Sequence, residues 1–370
     1  MEENLRYFGG KVDLLIRREC LSRSEAKELF IQILQNVQPD LQQGAFLAAI
    51  TAKGATPEEI AGIWEAIYEI DTVKVRPEVN GPLVENCGTG MDAIKTFNIS
   101  TAASIVAAAD GINMAKHGAR AITSRCGAVD ILETLGVDVD CGAELVKRSI
   151  ERAGIGIFNG MSGKVHPQAL GRILSQIRFG TVLNIAGSLA NPALPSCGVR
   201  GVYSREMILP TARVMHEIGY KRAFIVHGKS ADGVRGMDEL STLGKSYIAD
   251  MTEDGEIQEF SVSAGELGIE SCSESDILNQ SERQSEALRM LQVISGKEQG
   301  PRREIVCLNT APILYIMGHA SDLKEGICRA AEIMDSGKPV MKLRSWVKEQ
   351  NTDPGNRLEQ LESILEIALA

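Results

Sequence analysis

Aromatic side chains make up only 4% of the 370 residues, and just two are tryptophan. That is too few to build the stacking platforms of a single-stranded nucleic-acid binder. A basic excess is also missing. Thirty-nine Lys and Arg face 49 Asp and Glu, for a net charge of −10. Such a chain is a poor general binder of polyanions, and nucleic acid is not an expected partner, although a local pocket can still hold a phosphate. No stretch approaches the roughly 18 apolar residues of a membrane span. Residues 1–10 are charged and lack the apolar core of a targeting segment. These absences lead to the expectation of a cytoplasmic protein without membrane contact. The eight cysteines (Cys20, Cys87, Cys126, Cys141, Cys197, Cys272, Cys307 and Cys328) include no CxxC pair and no Cys/His spacing suited to zinc. Free thiols in a reducing compartment are the expected state. No internal repeat or low-complexity tract interrupts the chain.

What is present divides into two parts. Residues 10–72 read as helical. Ser22-Arg23-Ser24-Glu25 fits a capping box. Thr56-Pro57-Glu58-Glu59 places an N-cap threonine before a proline and two first-turn acids. Ile60, Ile63, Trp64, Ile67 and Ile70 then recur at helical spacing. A proline-containing connector at 75–82 marks a boundary, giving a small all-helical domain over 1–75. Residues 76–370 alternate short apolar runs with helical segments. Strands are expected at 83–87, 112–115, 156–158 and 223–227, and helices at 100–109, 128–135, 144–153 and 207–218. This is the pattern of an α/β domain with a mainly parallel sheet. Residues 250–305 read as hairpins or loops. Helices at 309–317, 323–335 and 357–369 close the chain.

Three segments carry chemistry. The loop Cys87-Gly88-Thr89-Gly90-Met91-Asp92 leads into Phe97-Asn98-Ile99-Ser100-Thr101, which opens an alanine-rich helix. Backbone N–H groups and hydroxyls then converge at a helix N-terminus, a natural phosphate site. A bare glycine turn is the competing reading. Lys116-His117-Gly118-Ala119-Arg120, continuing to Thr123-Ser124-Arg125-Cys126-Gly127, gathers cations and hydroxyls suited to several phosphates, or else forms a solvated basic loop. Asp238-Glu239, on a loop beyond a strand end, can hold a divalent cation through oxygen, or else forms a solvated acidic pair.

In that order, together with Ser124–Gly136, Asn184–Pro192, Asp238–Ser241 and Leu308-Asn309, these motifs resemble the anthranilate phosphoribosyltransferase family over residues 10–350. The resemblance implies a small helical domain joined to a nucleoside-phosphorylase-like α/β domain, a homodimer formed through the helical domain, and helices around 167–180 packed on it. It implies that phosphoribosyl pyrophosphate (PRPP) is held by Gly88, Thr89, Gly90, Asp92, Thr96, Asn98, Ser100, Thr101, Lys116 and Ser124. It implies Mg²⁺ at Ser100, Asp238 and Glu239. It places the aromatic acceptor, anthranilate in tryptophan biosynthesis, at His117, Ala119, His166, Leu174 and Arg178.

The acceptor half departs from the family pattern. Met91 stands for a glycine, Ala119 for an acceptor-binding asparagine, and Ser188 for a proline. Counting back from Asn184, the carboxylate-binding arginine falls on Leu174 and a later family arginine on Gly180, with Arg172 or Arg178 as substitutes. The turn at 158–167 is about three residues longer, and residues 229–236 are inserted beside the acidic pair. Phosphoribosyl transfer to a different aromatic acceptor, a nucleoside phosphorylase and a non-catalytic nucleic-acid-binding relative are the alternatives.

Overall fold

A computed structural model describes residues 2–120, 127–177, 179–279 and 282–370. Four helices come first: α1 (Glu2–Ile16), α2 (Arg23–Leu34), α3 (Asp40–Lys53) and α4 (Pro57–Ile70). Ser22 and Thr56 cap α2 and α4 with complete capping boxes to Glu25 and Glu59, because a hydroxyl and a glutamate three residues later satisfy two otherwise unpaired N–H groups.

The remainder runs β1 (Leu83–Cys87), α5 (Ile99–Ala109), β2 (Asn113–Gly118), α6 (Ala128–Thr134), α7 (Ala143–Ala153), β3 (Ile155–Asn159), α8 (Leu170–Gln176), α9 (Leu183–Leu189), β4 (Cys197–Gly201) and α10 (Ile208–Glu217). Then follow β5 (Arg222–Lys229), β6 (Gly236–Met237), β7 (Lys245–Met251), β8 (Ile257–Ser263), α11 (Glu274–Ile277), α12 (Arg283–Ile294), α13 (Pro301–Ile316), α14 (Leu323–Asp335), α15 (Lys338–Glu349) and α16 (Pro354–Leu369). The eight strands form one sheet ordered β3-β2-β1-β4-β5-β7-β8, with β6 paired to β5. The pairs among β3, β2, β1, β4 and β5 are parallel, and β6, β7 and β8 join antiparallel.

Alternation along β5 shows how the layers divide. Phe224 and Val226 face the core shared with α5 and the C-terminal helices. Ala223 and Ile225 face the core shared with the helical unit, where Leu170, Ile173, Leu183 and Ile185 of α8 and α9 pack with Phe30, Phe46, Ile60 and Ile67. Trp64 Nε1 donates to Leu189 O at 2.9 Å, tying α4 to α9.

The structure corrects several expectations. α8 lies in the 167–180 stretch where the resemblance places a helix against the helical unit, whereas the central strand β4 and helices α9, α12 and α15 are additions to the sequence reading. β2 runs three residues past 115, and the 250–305 segment contains α12 as well as β8, the second strand of the β7–β8 hairpin. The seven described cysteines are free. Among the described residues, no helix is long and apolar enough to cross a membrane.

Candidate active site

In this sheet β2 neighbours β1 on one side while β4 neighbours it on the other. The connections therefore reverse direction between β1 and β4, which opens a crevice at the strands' carboxyl ends. A cavity of about 240 Å³ occupies it. Gly88, Thr89, Gly90, Asp92, Thr96, Asn98, Ser100, Lys116, His117, Ala119, Leu174, Asp238 and Glu239 all line it.

Glycine makes the close approach possible. A Cβ on Gly88 would lie 2.4 Å from Asp238 Oδ2, one on Gly201 would lie 1.5 Å from Asp238 O, and one on Gly228 would lie 2.5 Å from Glu239 O. The Asp238-Glu239 segment thus presses against the ends of β1, β4 and β5. Gly90 N donates to Asp238 Oδ2 at 2.7 Å. Asn309 of α13 brackets Leu240, accepting from its N at 2.8 Å and donating to its O at 3.0 Å. Asn184 Nδ2 holds Thr89 O at 2.9 Å. The inserted 229–236 segment is the turn between β5 and β6, and Gly236 O accepts from Ala93 N and Ile94 N, so it braces the glycine loop. Replacing Gly88 with alanine should push the Asp238 carboxylate aside without unfolding the protein. A displacement of that order costs about 10²-fold in activity. Pyrophosphate release and a Mg²⁺ titration, with circular dichroism as the folding control, check this.

The sequence assigned Asp92 to the donor alone. In the structure it joins Asp238 and Glu239, with ligand oxygens within 4.8 Å of one another. Burial, then the Asp238 charge, pushes the Asp92 carboxyl up to about 7. Burial, then Asp238 and Asp92, pushes Glu239 well above the carboxylate range. Lys95 is 3.1 Å from Asp92, while Glu239 Oε2 is buried without a hydrogen-bond partner. Three crowded carboxylates with an orphaned oxygen form a hard-oxygen donor set, and the residues fit a divalent cation.

Other sequence-derived residues fall elsewhere. Thr101 is fully buried in α5, its hydroxyl unpartnered, and is absent from the cavity wall. One helical step past Ser100 turns it by about 100° into the core. Arg120 reaches the wall, but its guanidinium is bound to Glu133 at 2.7 Å and Asp140 at 3.0 Å. His166 lies behind the wall, its Nε2 3.1 Å from His117 Nε2. Arg172 turns to the helical unit, donating to Gln43 Oε1 at 3.1 Å, so it does not replace an arginine at 174. Ser124 and Arg178 lie outside the described residues. Met91 and Gly180 are linked departures: a Cβ on Gly180 would meet Met91 Cε at 2.6 Å, so the methionine fills the space a side chain there would need.

Lys116 is 3% exposed, and its Nζ donates to Asn86 O at 2.8 Å and Ser104 Oγ at 3.1 Å. Burial pulls its pKa from 10.5 down to about 8. Between those values the unfolded chain binds the proton and the native one does not, so stability rises with pH. The rise is roughly 3 kcal/mol. Urea titrations from pH 8 to 10.5 should show it in the native protein and not in Lys116→Met.

Beneath the Ser188 side of the cavity lies a pair that no local pattern in the chain signals. Arg200 and Glu85, each 1% exposed, meet at 2.7 Å. Arg200 Nη1 also donates to Ser188 Oγ at 3.0 Å on the cavity wall.

The helical-bundle domain of the glycosyl transferase family matches residues 12–69, and that family's a/b domain matches residues 80–340. The anthranilate phosphoribosyltransferase of Desulfosudis oleivorans is 34% identical over 348 residues, covering 92% of this chain and 98% of that protein. That of Anaeromyxobacter dehalogenans is 36% identical over 336 residues, covering 90% and 96%. The chain belongs to the anthranilate phosphoribosyltransferase family. The crystal structure of the Thermus thermophilus anthranilate phosphoribosyltransferase superposes with a TM-score of 0.80 at 31% identity, covering 92% of this chain and 98% of that one. The Saccharomyces cerevisiae anthranilate phosphoribosyltransferase in complex with PRPP and Mg shares the fold, with a TM-score of 0.80 at 24% identity over 95% of this chain and 98% of that one. The helical unit, the mainly parallel sheet and the glycosyltransferase class follow for this chain as for its family.

Proposed function

We propose that this enzyme transfers the phosphoribosyl group of PRPP to the nitrogen of an aromatic amine, with anthranilate the first acceptor to test. The observation that carries the reading is the Asp92-Asp238-Glu239 cluster facing the N-terminus of α5 across one cavity. That helix end favours phosphate, and the acids need a cation. Gly88, Thr89, Gly90, Thr96, Asn98, Ser100 and Lys116 would bind the donor. Asp92, Asp238 and Glu239, with Ser100 beside them, would hold Mg²⁺, which when bound neutralises charge on departing pyrophosphate. The C1–N bond forms as the C1–O bond to pyrophosphate breaks, and the amine loses a proton. Leu170, Leu174, Leu183 and Ala119 present an apolar surface for the acceptor ring. Ala119 and Leu174 offer none of the polar contacts of the family pattern, which keeps a second reading in view, the same chemistry on another aromatic acceptor.

The same reading divides the chain near residue 75, pairs two copies through the helical unit, and places the enzyme in the cytoplasm in tryptophan biosynthesis. Pyrophosphate release from PRPP and Mg²⁺ against a panel of aromatic amines, with anthranilate fluorescence followed, tests it. Release with no amine in the panel would reject the reading.

A further inference from the structure

Two buried histidines at the acceptor end set a proton-counting problem. His117 and His166 are 3% and 2% exposed. Nδ1 of His117 lies 3.0 Å from Ser188 O, and Nδ1 of His166 lies 2.7 Å from Asp71 O. A carbonyl only accepts, so each contact requires a proton on Nδ1. The two Nε2 atoms then face each other at 3.1 Å, a contact that requires a third proton. Two neutral imidazoles carry two protons between them. The neutral pair is therefore one short. The Thr72 hydroxyl, 3.4 Å from Nδ1 of His166, is committed to Ile67 O at 3.0 Å.

The surroundings keep the third proton off while leaving room for it. Burial pushes His117 down to about 4 and, with His117 beside it, His166 to about 3. Arg200 disfavours charge on His117, but its own charge is matched by Glu85. The Asp71 carboxylate favours charge on His166 and accepts from the backbone N–H of Ala169 and Leu170. Gly160 opens the ring to the cavity that it and His117 both line, since a Cβ there would sit 2.9 Å from His117 Nε2. An anion at that edge would offset the burial penalty.

We propose that the His117–His166 pair takes up one proton from solvent when a carboxylate-bearing acceptor binds, and that the resulting monocation is the counter-charge for that carboxylate. The proton enters between the two Nε2 atoms, and no other bond changes. The pair is a positioning device, and it rests on the phosphoribosyl-transfer reading for its substrate. It supplies the charge that Leu174 does not.

Calorimetry of anthranilate binding to the enzyme with Mg²⁺ and pyrophosphate, at pH 7.5 in buffers of different ionisation enthalpy, reads proton uptake directly. A slope near one proton per chain is expected with anthranilate and with benzoate, and a slope near zero with aniline. His166→Gln should abolish the slope and raise the KM for anthranilate about tenfold, leaving the KM for PRPP unchanged. Should that variant misfold, nitrogen NMR of the histidine rings in the native protein decides, since the chain has only five histidines. Three of the pair's four ring nitrogens should carry protons once benzoate is bound. Turnover of anthranilate with a zero slope, or benzoate binding with two protonated nitrogens, overturns proton uptake and leaves the transferase reading intact. Absence of turnover across the amine panel overturns the transferase reading, while the benzoate slope still decides the histidine pair.

Discussion

The double variant Asp238→Asn/Glu239→Gln should lose about 10³-fold or more in turnover, the scale expected when the groups that stabilise a leaving anion are removed, and should melt no lower than the native protein. The second half is the less intuitive one. Asp92, Asp238 and Glu239 crowd their oxygens within 4.8 Å, and burial raises both Asp92 and Glu239. Amides of the same shape remove that repulsion. The amide oxygen introduced at position 238 would still accept from Gly90 N, which is 2.7 Å from the present carboxylate. The metal-free native protein should also lose stability as pH rises from about 4 towards 7. The folded Asp92 still holds a proton there that the unfolded chain released near 4, so the native state binds more protons across the window. Mg²⁺ should reverse this loss in the native protein and do nothing for the double variant. Thermal melts at pH 5 and pH 8, with and without Mg²⁺, read all of this beside the pyrophosphate assay. Undiminished turnover in the double variant would remove the metal assignment, and a large fall in melting temperature would make these acids structural.

What could be read from the chain was what depends on neighbours in sequence. The capping boxes at Ser22 and Thr56, the apolar face of α4 and the hydrophobic run of β5 are local signals, and each appears in the fold. β4 carried no such signal. Its sequence, Cys-Gly-Val-Arg-Gly, is a strand because β1 and β5 pair with both its edges. Its two glycines, Gly198 and Gly201, are there for the packing of Tyr220 and Asp238 against them. α12 lay hidden in an acidic stretch because its buried face (Ala287, Met290, Leu291, Val293, Ile294) meets helices far along the chain. The same division runs through the site. Asp238-Glu239 was visible as a pair. The arrival of Asp92 beside it was not, because that proximity is produced by Gly88 and Gly201. Met91 and Gly180 each looked like an isolated departure until the structure put one against the other.

Arg200→Met should be the most destabilising single change in the site region, at about 3–5 kcal/mol. Glu85 and Arg200 are diagonal neighbours on adjacent strands, since Glu85 pairs with Gly198 and Cys87 with Arg200. Glu85 Oε2 accepts from Arg200 at 2.7 Å and from the Tyr220 hydroxyl at 2.8 Å, and Oε1 accepts from Asn191 at 3.0 Å. Methionine would leave that carboxylate buried with two neutral donors and no hydrogen-bonded cation. Replacing both partners, as in Glu85→Leu/Arg200→Met, removes the stranded charge, and pairs exchanged for apolar groups of similar volume are often close to neutral. Urea titrations of the two single variants and the double should therefore give a strongly non-additive cycle, with the double variant more stable than Arg200→Met. Activity should follow a different order. The double variant still lacks the guanidinium that donates to Ser188 Oγ at 3.0 Å, and Ser188 carries the carbonyl that accepts from His117. Recovered stability with a raised KM for the acceptor and an unchanged KM for PRPP would separate the structural from the positioning role of Arg200. Additive losses would instead mean that the ion pair contributes little beyond its two side chains, and that β1 and β4 are held together by their backbone pairing.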